Sequence, residues 1–240
     1  MRRSRRSRPA FRTWTPLVGR VAAALIGSAM PGMVIAAGVV SAAPSVLRAP
    51  TSIAACAGPP LTRQSQVHAN TSYCGGRATS QIRLANGDTW EGGEVTGVST
   101  GSQEGAVECG TPCTLLNMDI HDNPNAFAGI YASMAKVIGP VTISGGRVTN
   151  NGSLGIGGSV ADPLTVRGVE IDHNGATGSC VFEAGGFKGI NHHLRFTGNN
   201  VHDNNCPGVW VDVGAGGNGS VEIDHNTITN NANEGIMYEV

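Results

Sequence analysis

LTVRGVEIDHN, residues 164–174, is one of five copies of a pattern that recurs through the second half of the chain. Every copy has an apolar residue or Cys ten positions before a final Asn, an apolar residue eight before it, and Ile or Val three before it. The other copies are CTLLNMDIHDN (113–123), VTISGGRVTNN (141–151), LRFTGNNVHDN (194–204) and VEIDHNTITNN (221–231). The final Asn residues are 28, 23, 30 and 27 positions apart, and a period in this range indicates a repeat architecture.

Each copy predicts short β-strands. The apolar positions ten and eight residues before the Asn are two apart, which is the period of a strand and not of a helix. After the Asn the alternation resumes, as in Val209, Val211 and Val213 against Trp210 and Asp212. One unit therefore holds two or three short strands joined by corners rich in Gly and Asn.

A unit this short cannot bury its apolar face alone, so the units must stack. Stacking pairs successive units as parallel strands and places the five Asn side chains above one another, where their amides hydrogen-bond along the stack. Asn also tolerates the left-handed backbone of a sharp corner. This pattern predicts a parallel β-helix. A β-propeller is disfavoured because its blades need about 40 residues and four strands each.

The first part of the chain predicts export. Residues 1–43 combine a basic start with a long apolar run that ends in small residues, as in a signal peptide; if uncleaved, the run is long enough to anchor the chain in a membrane. Residues 44–79 are expected to form an irregular arm, and residues 80–240 the repeat domain. Seven of the 16 Lys and Arg lie in residues 1–43 and none of the 17 acids do, so the rest of the chain carries a net charge of −8. This charge argues against nucleic acid as a partner.

All six cysteines follow the export segment, and an even count in an exported chain favours disulfides. The expected pairs are Cys56 with Cys74, Cys109 with Cys113, and Cys180 with Cys206. The last pair lies about one repeat apart and would join neighbouring coils.

A column of carboxylates is the strongest candidate for chemistry. After each corner, alternate residues are predicted to point inward. In the third unit these are Cys180 and Phe182, which align with Val209 and Val211 of the fourth unit. The next residue of each unit then points outward, and these residues are Ser133, Ser159, Glu183, Asp212 and Glu239. Three acids about 4.8 Å apart per step would repel one another unless they bind a cation or a basic side chain intervenes.

The column predicts a site for sugar chemistry. Lys188 is the nearest basic residue in sequence, and Trp210 on the same outward face would suit the apolar face of a sugar ring. Glu183, Asp212 and Glu239 offer hard oxygen ligands for Ca²⁺, and a base beside such a cation would take a proton from a uronic acid. Paired carboxylates would equally hydrolyse a glycosidic bond. A purely solubilising role for these acids is the alternative.

Several segments resemble the secreted bacterial right-handed parallel β-helix repeat proteins, whose fold is shared with pectate lyases. They are LGIGGS (154–159), FEAGGFK (182–188), NNVHDNNCPGVWVDV (199–213) and HNTITNNANEGIMYEV (225–240). The resemblance implies an all-β, right-handed parallel β-helix of about six to seven coils. It matches Glu183, Lys188, Asp212 and Glu239 to motif positions of the group, while Phe182 replaces a Trp.

Two functions follow as expectations. The first is an exported polysaccharide lyase or glycoside hydrolase acting on acidic glycans, with Glu183, Lys188, Asp212 and Glu239 as catalytic residues. The second is a non-catalytic carbohydrate-binding or structural protein of the cell envelope. The fifth copy runs to Val240 in mid-strand, so the solenoid is expected to lack a C-terminal cap. The chain would then be a truncated enzyme homologue or would form a homo-oligomer through the open coil.

Overall fold

Nineteen short strands and one 3-10 helix form the part of the chain that the computed structural model describes, which is residues 56–110, 112–132, 139–158, 163–190, 193–212 and 220–239. The 3-10 helix is Gln64–Gln66. The strands are β1 (Ser72–Cys74), β2 (Arg77–Ala78), β3 (Ile82–Arg83), β4 (Asp88–Glu91), β5 (Glu94–Thr96), β6 (Gly105–Glu108), β7 (Cys113–Asn123), β8 (Ala128–Ala132), β9 (Val141–Asn151), β10 (Leu154–Gly158), β11 (Leu164–Arg167), β12 (Glu170–Asp172), β13 (Gly185–Gly189), β14 (His193–Thr197), β15 (Asn200–His202), β16 (Val209–Asp212), β17 (Ser220–Asp224), β18 (Thr227–Thr229) and β19 (Ile236–Glu239).

All of the strand pairs are parallel, and they stack as three ladders. The first ladder runs β1-β4-β7-β9-β11-β14-β17, and the third runs β3-β6-β8-β10-β13-β16-β19. The second ladder is made by β2, β5, the later halves of β7 and β9, and then β12, β15 and β18. The predicted parallel β-helix is therefore confirmed, and each ladder contains seven strand segments among the described residues.

Left-handed residues turn the chain at two corners of each coil. The corner between the second and third ladders has φ between +51° and +54° at the position just before each repeat Asn, which is occupied by Asp122, Asn150, His173, Asp203 and Asn230. The sequence prediction placed this conformation on the repeat Asn itself, and that assignment is wrong. The two roles fall on neighbouring residues, because the ladder Asn must direct its amide along the stack.

The five repeat Asn residues hydrogen-bond in a continuous row, as predicted. Their Nδ2 atoms donate to the Oδ1 of the next Asn at 2.8 Å (Asn123 to Asn151), 3.0 Å (Asn151 to Asn174), 3.1 Å (Asn174 to Asn204) and 2.8 Å (Asn204 to Asn231). The Oδ1 atoms of Asn123, Asn174, Asn204 and Asn231 also accept a backbone N–H of the preceding coil, as Asn174 Oδ1 accepts from the Asn151 backbone N–H at 3.0 Å. The row thus satisfies buried backbone groups that the corner leaves without strand partners.

Apolar side chains of all three ladders fill the interior. Inward residues of the third ladder, such as Ile130, Ile156, Phe187 and Val209, are fully buried. The three disulfides join the predicted pairs, Cys56–Cys74, Cys109–Cys113 and Cys180–Cys206. The three disulfide pairs predicted from the sequence are therefore confirmed.

The first ladder begins earlier in the chain than the sequence predicted. The ladders begin at Ser72, inside the segment 44–79 that was expected to be irregular. At the other end Ile236 and Tyr238 of β19 are 50% and 60% exposed; the uncapped end and the homo-oligomer stay predictions.

The predicted signal peptide, residues 1–43, lies outside the described residues. Within those residues no helix has the length and apolarity to span a bilayer.

Candidate functional site

A row of outward side chains on the third ladder contains a gap. The row, read by strand register, is Arg83, Glu108, Tyr131, Gly157, Lys188, Trp210 and Met237. Gly157 stands between Tyr131 and Lys188 and has no side chain, and a Cβ there would lie 2.6 Å from Leu154 Cδ1. Glycine therefore leaves a depression between a phenol and an ammonium group.

Tyr131 and Lys188, which flank this depression, both line a cleft of about 220 Å³. Three of the residues that were predicted to be catalytic border it, namely Glu183, Lys188 and Asp212. The other lining residues are Gln103, Phe127, Tyr131, Leu154, Gly158, Phe182 and Ile190. The cleft thus combines two carboxylates and one cation with aromatic and aliphatic walls.

Lys188 connects the parts of the cleft. Its Nζ lies 3.6 Å from Asp212 Oδ2 and donates a hydrogen bond to the Phe182 backbone carbonyl at 2.7 Å. It also lies 3.4 Å from the centroid of the Trp210 ring. Lys188, the basic residue expected beside the acids, therefore contacts one of them, Asp212.

Trp210 does not have the predicted exposure. It lies in the outward row but is only 1% exposed, because Lys188 covers its ring. Its Nε1 donates to Glu239 Oε2 at 3.1 Å. The prediction of Trp210 as a sugar-stacking residue is therefore wrong; the residue anchors Lys188 and Glu239.

The position of Glu183 in the predicted column is also wrong. The third unit's strand is Gly185–Gly189, in which Phe187 pairs with Val209 and Gly189 pairs with Val211. Ile190, and not Glu183, is thus level with Asp212. Residues 179–183 form a turn, in which the Phe182 and Glu183 backbone N–H groups both donate to the Ser179 carbonyl at 2.9 Å. Glu183 reaches the cleft from this turn, which we call the 179–183 loop.

The remaining acids of the column are only partly brought together. Asp212 and Glu239 pair in register on adjacent strands, as predicted, but Glu239 does not line the cleft. Ser133 and Ser159 lie outside the described residues. No three His, Cys, Asp or Glu side chains among the described residues converge as a metal site. The predicted calcium ligands Glu183, Asp212 and Glu239 therefore do not form a cation cage here, and Ca²⁺ dependence stays a prediction.

Tyr131 is a cleft residue that the sequence did not single out. It is 6% exposed, and its ring packs edge-on against Phe127 with centroids 5.8 Å apart. Burial raises the pKa of Tyr131, and the nearby charges of Glu183 and Glu108 raise it further. The phenol therefore keeps its proton at neutral pH and can donate a hydrogen bond into the cleft. Tyr131 lies two strands before Lys188 in the same outward row, with Gly157 between them. The sequence shows this relationship only once the strand register is known.

A separate polar surface lies on the second ladder. Arg147 Nη2 contacts the buried carboxylate of Asp172 at 2.9 Å, and His173 Nδ1 contacts the same oxygen at 2.6 Å. Burial raises the pKa of Asp172, but the hydrogen bonds from Arg147 and His173 outweigh burial and hold the pKa below its usual value. These groups pair with one another, which indicates a structural ion-pair network.

Three stacked parallel ladders with an outward cleft define a β-helix protein with a surface cleft on its third ladder. Over residues 82–239 the chain matches the family model described as the right handed beta helix region, and it belongs to that family. No curated protein and no solved structure matches the chain.

Proposed function

We propose that the chain is an exported β-helix protein that binds and processes polysaccharide in the cleft on its third ladder. The observation that carries this proposal is that Glu183, Lys188 and Asp212 border one solvent-open cleft beside aromatic side chains. Two carboxylates that border a cleft with apolar walls suit a sugar, because hydroxyl groups hydrogen-bond to the acids while the ring's C–H faces meet the aromatic surface. Export is supported by the three disulfides, which persist in oxidising compartments.

Two reactions need different states of these groups. Hydrolysis needs one carboxyl group to protonate the glycosidic oxygen while the other acts as a base or nucleophile. Lyase chemistry needs a base to take the proton beside a uronate carboxyl group, and a cation to neutralise that carboxylate. Lys188 is the cation that lines the cleft within the described residues, and Asp212 already pairs with it. Because Lys188 is already paired with Asp212, it is not free to neutralise a uronate carboxylate. This contact favours the hydrolase assignment, with Glu183 and Asp212 as the acid–base pair.

The test is a panel of neutral and uronate-containing polysaccharides incubated with the purified chain, with and without Ca²⁺. New reducing ends report hydrolysis, and absorbance of an unsaturated uronate reports elimination. Glu183→Gln and Asp212→Asn, singly and together, are expected to abolish turnover. Glu222→Gln, on a different ladder, is the matched control. Turnover that survives the double substitution would contradict the enzymatic proposal.

A non-catalytic glycan-binding protein of the cell envelope is the second candidate. It is favoured by the contacts that already occupy two of the predicted catalytic groups, since Lys188 holds Asp212 and Glu239 accepts from Trp210. Binding of a polysaccharide without any turnover would support this function, whereas product formation that depends on Glu183 and Asp212 would exclude it.

A further inference from the structure

Phe182 is a large aromatic side chain that the fold leaves in solvent. It is 66% exposed and lines the cleft, whereas the inward slot of its unit is filled by Phe187. Phe187 is fully buried and packs against Phe196 with ring centroids 5.0 Å apart. Phe182 therefore does not contribute to the core of the β-helix. An aromatic ring left in water loses the stabilisation that burial would supply.

The backbone that carries Phe182 is held at several points. Cys180 is bonded to Cys206 of the next unit, and the Phe182 backbone N–H donates to the Ser179 carbonyl at 2.9 Å. Lys188 Nζ binds the Phe182 carbonyl oxygen at 2.7 Å from inside the cleft. A residue anchored in this way loses little conformational entropy when a ligand binds, which is the condition for a preorganised contact.

The surroundings of the ring specify the chemistry of its partner. Lys188 Nζ lies 5.9 Å from the Phe182 ring centroid, and the carboxylates of Glu183 and Asp212 border the same cleft. An occupant must therefore present an apolar face to the ring and hydroxyl groups to the acids at the same time. A pyranose ring does both, because its axial C–H groups form one face and its hydroxyls form the edge.

We infer that Phe182 is the stacking platform for a sugar ring of the bound polysaccharide, in the place that the sequence assigned to Trp210. The inference deepens the proposed function and rests on it. Val181 supplies a matched comparison, because it is 81% exposed on the same loop but does not line the cleft.

The experiment is calorimetric titration of the full chain with cellohexaose, xylohexaose and hexagalacturonate, using Phe182→Ala, Phe182→Leu, Phe182→Trp and Val181→Ala. For whichever oligosaccharide binds, Phe182→Ala is expected to weaken affinity roughly three- to tenfold, as for loss of an aromatic contact. Phe182→Leu is expected to weaken it similarly, because it keeps an apolar group but loses the flat face. Phe182→Trp is expected to retain affinity, and Val181→Ala to leave it unchanged. Thermal unfolding of the Phe182 variants should match the parent, since the ring is outside the core.

The outcomes separate this inference from the proposal beneath it. If Phe182→Ala binds as tightly as the parent while Glu183→Gln with Asp212→Asn abolishes binding, the stacking role is wrong and the cleft assignment stands. If Val181→Ala weakens binding as much as Phe182→Ala, the platform role of Phe182 is wrong. If the unchanged chain binds none of the probes at millimolar concentration, the proposed function is overturned, and the inference with it.

Discussion

The Lys188 ammonium lies 3.4 Å from the ring centroid of Trp210, the residue that pairs with it on the neighbouring strand. The contact belongs to a chain of interactions, since the same ammonium holds Asp212 and the Phe182 carbonyl, and the Trp210 indole N–H holds Glu239. One side chain thus couples a buried aromatic residue, a cleft carboxylate and the 179–183 loop.

Replacement of Lys188 by Met should therefore have two effects. The free energy of unfolding should fall by about 1–2 kcal/mol, because the cation–π contact and the ion pair are lost while the aliphatic stem is kept. The 179–183 loop should also exchange its amide hydrogens faster, because its carbonyl tether is gone. Denaturant unfolding and hydrogen exchange measure the two effects.

Lys188→Arg is the control for this prediction. A guanidinium group also stacks on indole and pairs with carboxylates, so this variant should keep most of the stability. Equal stability of Lys188→Met and the parent would contradict the interpretation of Lys188 as the link.

Removal of an amide from the middle of the Asn row should be more damaging than removal at its end. Asn174 accepts from the backbone N–H and Nδ2 of Asn151 and donates to the Val148 carbonyl and to Asn204. Asn174→Ala leaves these buried groups without partners and should cost roughly 3 kcal/mol or more. Urea unfolding at neutral pH measures this cost.

Asn231→Ala is the matched comparison, because Asn231 makes the same contacts on one side only and is partly accessible to water. We expect a loss of about 1 kcal/mol there. Equal losses at both positions would show that the row does not act through burial of its hydrogen bonds.

The disulfides should differ in their contributions to stability according to the loops they close. Cys180–Cys206 spans 26 residues and Cys109–Cys113 spans 4. In the chain-entropy model, loss of the first costs about 3.5 kcal/mol and loss of the second about 2 kcal/mol. Double Ser variants compared by denaturant unfolding test this order.

Cys180→Ser with Cys206→Ser should also weaken glycan binding, because it frees the 179–183 loop. The Cys109–Cys113 double variant, whose disulfide lies outside the 179–183 loop, should bind like the parent. The reverse order of the two effects on binding would contradict the role assigned to the loop.

Asp172 should make stability depend on acid pH. Its pKa in the folded chain is held below its usual value, although burial opposes this, because Arg147 and His173 bind its carboxylate. The stabilisation is therefore fully present above the unfolded pKa of about 3.9 and is lost as the pH falls through the folded pKa. One such group contributes up to about 1.4 kcal/mol per pH unit to the slope of the unfolding free energy.

Measurement of urea unfolding between about pH 5 and 2 tests this dependence. Asp172→Asn should show a shallower loss of stability over that window, while Glu222→Gln, whose carboxylate is half-exposed, serves as the control. A parent slope identical to that of Asp172→Asn would contradict the assignment.

Local pattern was sufficient for much of the fold. The five Asn copies predicted the stacked architecture and the hydrogen-bonded row, and cysteine spacing predicted all three disulfides. Those features depend on residues that recur at fixed positions within each unit, so each copy carries the same information.

The errors at the site have one origin. Cys180 and Phe182 alternate as a strand should, but the true strand starts at Gly185, and Phe187 takes the inward position. In a Gly-rich segment an alternating pattern can be drawn from more than one starting residue. The long loop before this strand leaves no nearby residue that fixes where the strand begins. Trp210 was placed correctly on the outward side, but its burial under Lys188 is a contact between strands that no single copy encodes.

The repeat in the sequence by itself determined that this chain forms a parallel β-helix, because units this short bury their apolar faces by stacking and are shorter than a propeller blade. The tertiary structure alone decided which side chains meet in the cleft, because inter-coil register and the disulfide-held 179–183 loop depend on contacts between residues far apart in sequence. The Asn row sets the stacking axis; the loops between its members set where Glu183, Lys188 and Phe182 stand along it.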